Sequence, residues 1–94
     1  MSATDAKLLA GKIVWVTASA RGLGRAIAER LARCGASIVV HSRSEQTASE
    51  FGEAPSTSHV AEQIAAIGNP VTTVFADVSD PAQVRQAVAR IERD

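Results

Sequence analysis

Apolar side chains fall along this chain in short bursts, and the spacing inside each burst separates strand from helix. Within 12–17, Ile13-Val14-Trp15-Val16 is a continuous apolar run rich in β-branched residues, as expected of a parallel strand buried on both faces. Leu23, Ile27 and Leu31 then recur at helical spacing, with Arg25, Glu29, Arg30 and Arg33 on the other side and Gly35 as the stop. Residues 37–41 carry Ile38-Val39-Val40, a second buried strand. From Ser42 to Pro55 the periodicity lapses among Ser, Glu, Thr and Gly, which predicts a surface excursion with room for a helical turn after Ser44. Helical spacing returns at Val60, Ile64 and Ile67 and closes at Gly68-Asn69-Pro70. A third strand is predicted over Val71 to Ala76. Asp80 then caps a last helix, with Pro81 in its first position and Val84, Val88 and Ile91 as its buried stripe.

Strand and helix thus alternate three times across short links, the pattern of right-handed βαβ crossovers feeding a parallel sheet. The expected fold class is α/β, a Rossmann-like doubly wound parallel sheet in its N-terminal βαβαβα half. A chain of 94 residues supports one small core, so residues 1–94 are expected to form a single unit. That core must be aliphatic, because one Trp and two Phe are all the large aromatic burial without a hydroxyl that the chain offers, and it has no Tyr.

Charge narrows the partners. Ten basic side chains balance ten acidic ones, which leaves no field to recruit nucleic acid or an anionic membrane. No run approaches the roughly 18 apolar residues of a membrane helix. The single Cys34 forms no internal disulfide, and residues 1–12 lack the apolar core of a signal peptide, so the expected address is cytoplasmic.

The chemistry concentrates in VTASARGLG, residues 16–24, between the first strand and the first helix. Glycines at 22 and 24 let backbone approach a ligand, and the amides of a first helical turn favour a phosphate. A tight strand-to-helix turn also explains two glycines. The wider stretch LLAGKIVWVTASARGLGRAIAERLARCGASIVVHSRS resembles the opening of short-chain dehydrogenases, whose fingerprint is Thr-Gly, three residues, then Gly-x-Gly. Thr17, Gly22 and Gly24 match it, as do Gly11-Lys12 and Gly35-Ala36. Ala18 departs from it, standing where the first fingerprint glycine is usual, and its methyl group is expected to be accommodated by a negative φ. FADVSD supplies a later match, with Asp77 and Val78 at the family's adenine contact.

The resemblance, which spans roughly residues 8 to 92, implies a cofactor site made of Thr17, Ala18, Ser19, Arg21, Gly22, Leu23 and Gly24 in the turn, Ser42 and Arg43 after the second strand, and Asp77 and Val78 after the third. NAD-dependent relatives place an acidic residue at the end of the second strand for the ribose 2′-hydroxyl. Here Ser42-Arg43 stands there, with Arg21 in the glycine loop, and a guanidinium suits a 2′-phosphate, so NADP(H) is the expected cofactor. A plain solvated surface charge is the alternative for either arginine. A Walker loop is excluded because Arg25-Ala26 follows the glycines where Lys-Ser/Thr is required. An S-adenosylmethionine site is disfavoured by the lack of an acidic residue near 42.

Family catalysis resembles a Tyr general acid/base assisted by a Lys four residues on and a Ser at the substrate carbonyl. The chain has no Tyr, and its lysines, Lys7 and Lys12, precede the first strand, so no catalytic residue is assigned and these 94 residues alone are expected to be inactive. The reading is therefore the NADP(H)-binding front part of an oxidoreductase that transfers hydride between cofactor and a carbonyl or alcohol substrate. The alternatives are a non-catalytic nucleotide-binding or regulatory module complete in itself, and a remnant that binds nothing. Lacking the family's fourth strand, the first strand is expected to have an open edge, and with it self-association or completion by a further segment. Cys34 and Trp15 read as packing residues, Glu50 and Glu53 as solvated loop, and His41 and His59 as unsuited to a metal site for want of partners at ligand spacing.

Overall fold

The computed structural model describes residues 8–50, 52 and 54–93. Strands β1 (Ile13–Val16), β2 (Ser37–Ser42) and β3 (Val71–Phe75) form one parallel sheet in the order β1-β2-β3. Register pairs Val14 with Ile38 and Val16 with Val40, then Val40 with Thr73 and Ser42 with Phe75. Helix α1 (Gly22–Arg33) joins β1 to β2. The excursion after β2 holds the one-turn α2 (Thr47–Glu50) and leads into α3 (Thr57–Ala65), and α4 (Pro81–Arg93) follows β3. Glu53, expected in the solvated loop, and Lys7 lie outside the described residues.

Alternation along β2 sends its side chains into two separate cores. Ile38 and Val40 pack with Ala28, Ala32, Val60, Ala61 and Ile64 of α1 and α3. Val39 packs on the opposite face with Val74, Ala76 and Ala87, joined by Trp15 and Ile91. Helices therefore cover both faces of a parallel sheet, which is the doubly wound α/β arrangement expected from the alternating pattern. The ends of the last two helices also follow their local chemistry. The Ser56 hydroxyl accepts from the His59 amide at 3.1 Å, and Asp80 Oδ1 accepts from the Ala82 amide at 2.9 Å with Pro81 at the first helical position.

Burial departs from the expected pattern in four places. Strand β1 lies at the sheet edge, so Ile13 is 63% exposed and its three neighbours are half-buried, whereas Ile38 to Ser42 of the central strand are all buried. In α1 the stripe at 23, 27 and 31 is not the inner one: Leu23 is 77% exposed and Ile27 is 43% exposed, while Ala28 and Ala32 are buried. The buried line runs Gly24, Ala28, Leu31, Ala32, also at helical spacing. Its phase is set where Gly24 passes against the backbone of Ala18, which turns the Leu23 side away. In α4, Ala87 rather than Val88 is the buried residue of the stripe, with Val84 and Ile91 half-buried. Trp15 sits half-buried against the second core rather than within it.

Candidate cofactor site

The C-terminal ends of all three strands open on one edge of the sheet, the edge where parallel α/β sheets hold their ligands. Three segments meet there: the turn 17–21 after β1, Arg43 after β2, and residues 76–80 after β3.

The turn has an outward part and an inward part. Thr17, Arg21, Gly22 and Leu23 are exposed, and Gly24 is half-buried. Ser19 is fully buried, with its amide donating to His41 O at 2.8 Å and its hydroxyl accepting from the His41 amide at 2.9 Å. The Ala18 amide donates to Nδ1 of His41 at 2.8 Å. The amides at 18 and 19 therefore serve the fold. Arg21 occupies the N-cap position with extended backbone, and its side chain makes no capping bond. The first-turn amides of Leu23 and Gly24 have no intrahelical acceptor, which is the arrangement that takes an anion.

Ala18 has a φ of 53°, in the left-handed region, and not the negative value expected from its side chain. It alone among the described non-glycine residues does so. The reason lies in the turn: a left-handed residue here lets the amides of 18 and 19 both point back at His41 and lets the chain fold under Gly24. For an L-residue this conformation costs about 1 to 2 kcal/mol. We expect Ala18→Gly to raise stability by about 1 kcal/mol and Tm by about 5 °C. A thermal melt with unchanged or lowered Tm would overturn the strained assignment.

At the end of β2, Ser42 and Arg43 part company. Ser42 is buried, and its hydroxyl donates to Ser44 O at 2.7 Å and contacts the Thr57 hydroxyl at 2.9 Å. Arg43 is exposed and lines an open cleft of about 360 Å³ with Ser44, Glu50, Asp77 and Gln83. Glu50, expected as plain solvated loop, thus stands on the wall of this cleft. Arg21 is not part of that lining. It lies on the neighbouring turn.

After β3 the chain is pinned by its own side chains. Asp77 Oδ1 accepts from the Ser79 hydroxyl at 2.6 Å and the Ser79 amide at 2.9 Å, while the Asp77 amide donates to Gln83 Oε1 at 2.8 Å. The Ser79 side-chain and backbone bonds, with a smaller contribution from the charge of Arg43, hold the Asp77 carboxyl below the usual aspartate range. It is therefore ionised at neutral pH, an acceptor beside the Arg43 cation. Val78 is 53% exposed at the same edge.

Three contributors escaped the sequence reading. Ser79 follows from the Asp-x-Ser-Asp turn, where the Asp77 carboxylate bonds nearby backbone, and Gln83 reaches back from the first turn of α4 to the Asp77 amide. His41 ends an otherwise apolar central strand, and that was the available signal: a buried imidazole there needs two partners. Cys34 is buried, with Arg30 Nη1 at 3.3 Å from its sulfur, in keeping with a packing residue. Among the described residues no group of three or more His, Cys, Asp or Glu could hold a metal ion, and no helix is long and apolar enough to cross a membrane.

A parallel doubly wound sheet with a glycine turn leading into a helix at its carboxyl edge is an α/β unit of the Rossmann-like type. The chain belongs to the short chain dehydrogenase family, whose model matches residues 12–94. It is similar to the "NADPH-dependent aldehyde reductase-like protein, chloroplastic" of Arabidopsis thaliana, 44% identical over 82% of this chain and 29% of the relative. It is 41% identical to "NADPH-dependent aldehyde reductase 2, chloroplastic" of the same plant, over 90% of this chain and 32% of the relative. Among solved structures, a short-chain type dehydrogenase/reductase from Mycobacterium marinum superposes with a TM-score of 0.78 at 28% identity, covering 100% of this chain and 34% of that one. A short chain dehydrogenase from Burkholderia cenocepacia in complex with NADP gives a TM-score of 0.73 at 35% identity, covering 90% and 31%. The chain spans about a third of the length of these relatives.

Proposed function

We propose that residues 1–94 are a single NADP(H)-binding unit, the front part of a longer oxidoreductase domain that transfers hydride between the cofactor and a carbonyl or alcohol substrate. The observation that carries the choice of cofactor is the end of β2: Ser42 is tucked inward, no carboxylate stands there for a ribose 2′-hydroxyl, and Arg43 lines the open cleft. The residues present fit the group. Space above Gly22 is empty, so a phosphate can approach that backbone, and Leu23 and Gly24 offer the amides of a helix start. Arg43 would take the 2′-phosphate, and Asp77 and Val78 the adenine edge, with Thr17 and Arg21 at the rim. The nicotinamide of a bound cofactor would give or take the hydride. The names of the two Arabidopsis relatives and the NADP-bound neighbour support the same cofactor.

We assign no turnover to these residues alone, because they include no Tyr and both lysines precede β1. The cytoplasm is the proposed compartment, in line with a single buried thiol. Nothing in the geometry or the comparisons favours a self-contained regulatory module. Titration of NADPH and NADH, followed by the fluorescence of Trp15, is expected to show NADPH binding at least about tenfold tighter. Equal affinities would refute the cofactor assignment, and no binding of either would refute the function.

The same reading bears on the edge of the sheet. Among the described residues β1 pairs with β2 alone, and Ile13, Leu23 and Ile27 stand exposed around it. We propose that these 94 residues on their own associate through this edge, where backbone groups are left to pair, or are completed there by a further segment. Light scattering is expected to give a mass that rises from monomer to dimer or beyond with concentration. A constant monomer mass up to about millimolar concentration would reject self-association.

A further inference from the structure

We propose that His41 is a positioning residue for the dinucleotide loop: its imidazole holds the Ala18 amide and so fixes the backbone against which Gly24 seats the start of α1. The inference rests on the proposed function for its ligand, while its hydrogen bonds stand on their own.

His41 is 3% exposed at the C-terminal end of the central strand. Its Nε2 lies 2.8 Å from Ala76 O, and its Nδ1 lies 2.8 Å from the Ala18 amide nitrogen. A carbonyl only accepts, so Nε2 carries the proton; an amide N–H only donates, so Nδ1 offers its lone pair. One neutral tautomer satisfies both. The ring thereby ties the turn after β1 to the end of β3, across the end of β2. Two further bonds between Ser19 and the His41 backbone clamp the same turn, and Trp15 packs against the ring with centroids 5.6 Å apart.

This clamp acts at a distance through a backbone in a costly conformation. Ala18 is left-handed, and its carbonyl occupies the space a side chain at 24 would need. Where Ala18 sits therefore decides where the first turn of α1 sits, and with it the amides of Leu23 and Gly24. Without the bond to Nδ1, the Ala18 amide would be left without its recorded partner and the strained turn would lose one of its restraints.

Two substitutions separate this role from simple filling of space. In His41→Asn the side-chain oxygen takes about the place of Nδ1 and can still accept from Ala18. In His41→Gln the amide takes about the place of Nε2, satisfies Ala76 O and leaves the Ala18 amide alone. Measured on the full chain, we expect His41→Asn to keep NADPH affinity and Ala18 amide protection within about threefold of the parent. His41→Gln should weaken both by about tenfold, the loss of one buried hydrogen bond. A space-filling role would give the reverse order, since Gln is nearer to His in volume. That order, or parent-like Ala18 exchange in His41→Gln, would overturn the proposal. Exchange at Ile38 and Val40 reports whether the sheet survives in each variant. Should both variants unfold, a long-range proton–nitrogen correlation of the parent ring decides: the Nε2-protonated tautomer supports the clamp, and the Nδ1-protonated form overturns it. Amide exchange needs no nucleotide, so a parent that binds neither NADPH nor NADH but protects Ala18 defeats the proposed function and leaves the clamp standing.

Discussion

Gly24→Ala is expected to destabilise the fold by about 3 kcal/mol, lowering Tm by about 15 °C and abolishing dinucleotide binding. A methyl group on Gly24 would collide with the carbonyl oxygen of Ala18 and crowd its carbonyl carbon and the Ser19 Cα. All three are backbone atoms. They cannot swing aside like a side chain, because the amides of 18 and 19 are bonded to His41 and the Ser19 hydroxyl to its backbone. Relief must come from lifting α1 off the sheet, which separates Ala28 and Ala32 from Ile38 and Val40. Gly22→Ala is the control. A Cβ there meets nothing within 4 Å, and only a φ of 58° opposes it, so the cost should stay near 1 kcal/mol. Urea unfolding of the pair decides the matter: if Gly24→Ala proved no worse than Gly22→Ala, the tight passage of α1 over the turn would not be a constraint.

Arg43→Ala carries the second large effect, expected to fall on one cofactor alone. A guanidinium paired with a 2′-phosphate contributes about 1.5 to 3 kcal/mol, so NADPH affinity should drop by about ten- to a hundredfold. NADH lacks that phosphate, and its affinity should change by no more than about twofold. The parent's preference should also shrink with added salt, because Arg43 is exposed and the screening length at physiological ionic strength is about 8 Å. Glu50 and Asp77 stand in the same cleft, and their carboxylates compete for the cation and limit the preference to the lower part of that range. Calorimetric titration of both nucleotides into parent and variant reads all of this. Equal losses for NADPH and NADH would mean that Arg43 supports the fold rather than the phosphate.

Much of the site was legible because its determinants are local. Arg43 follows the last residue of a strand whose limits are written in Ile38-Val39-Val40, so its place at the carboxyl edge needed only the strand. The cap at Asp80 was equally readable, since a cap is a contact over two or three residues. Contacts across the fold were not readable. Ser42 and Arg43 are neighbours in the chain, yet one is buried on Thr57 and the other faces solvent, and that split depends on where the later helix α3 lies. The negative φ expected of Ala18 was a fair inference from its side chain, but the backbone at that point answers to His41, 23 residues away.

The amino-acid sequence by itself determined the alternation of strands and helices, the glycine turn between the first pair, and the residue types at the carboxyl edge. Apolar periodicity, caps and turn chemistry are properties of a few consecutive residues, and they survive whatever the rest of the chain does. Tertiary structure alone decided which face of α1 is inner, which amides of the turn are spent on the fold, and which side chains reach the cleft. Two stripes of α1 have helical spacing, and only contact between Gly24 and Ala18 chooses between them. A buried imidazole takes its two partners from the segments that follow two other strands, distant in sequence, and no local pattern encodes a hydrogen bond that exists only once the sheet is assembled.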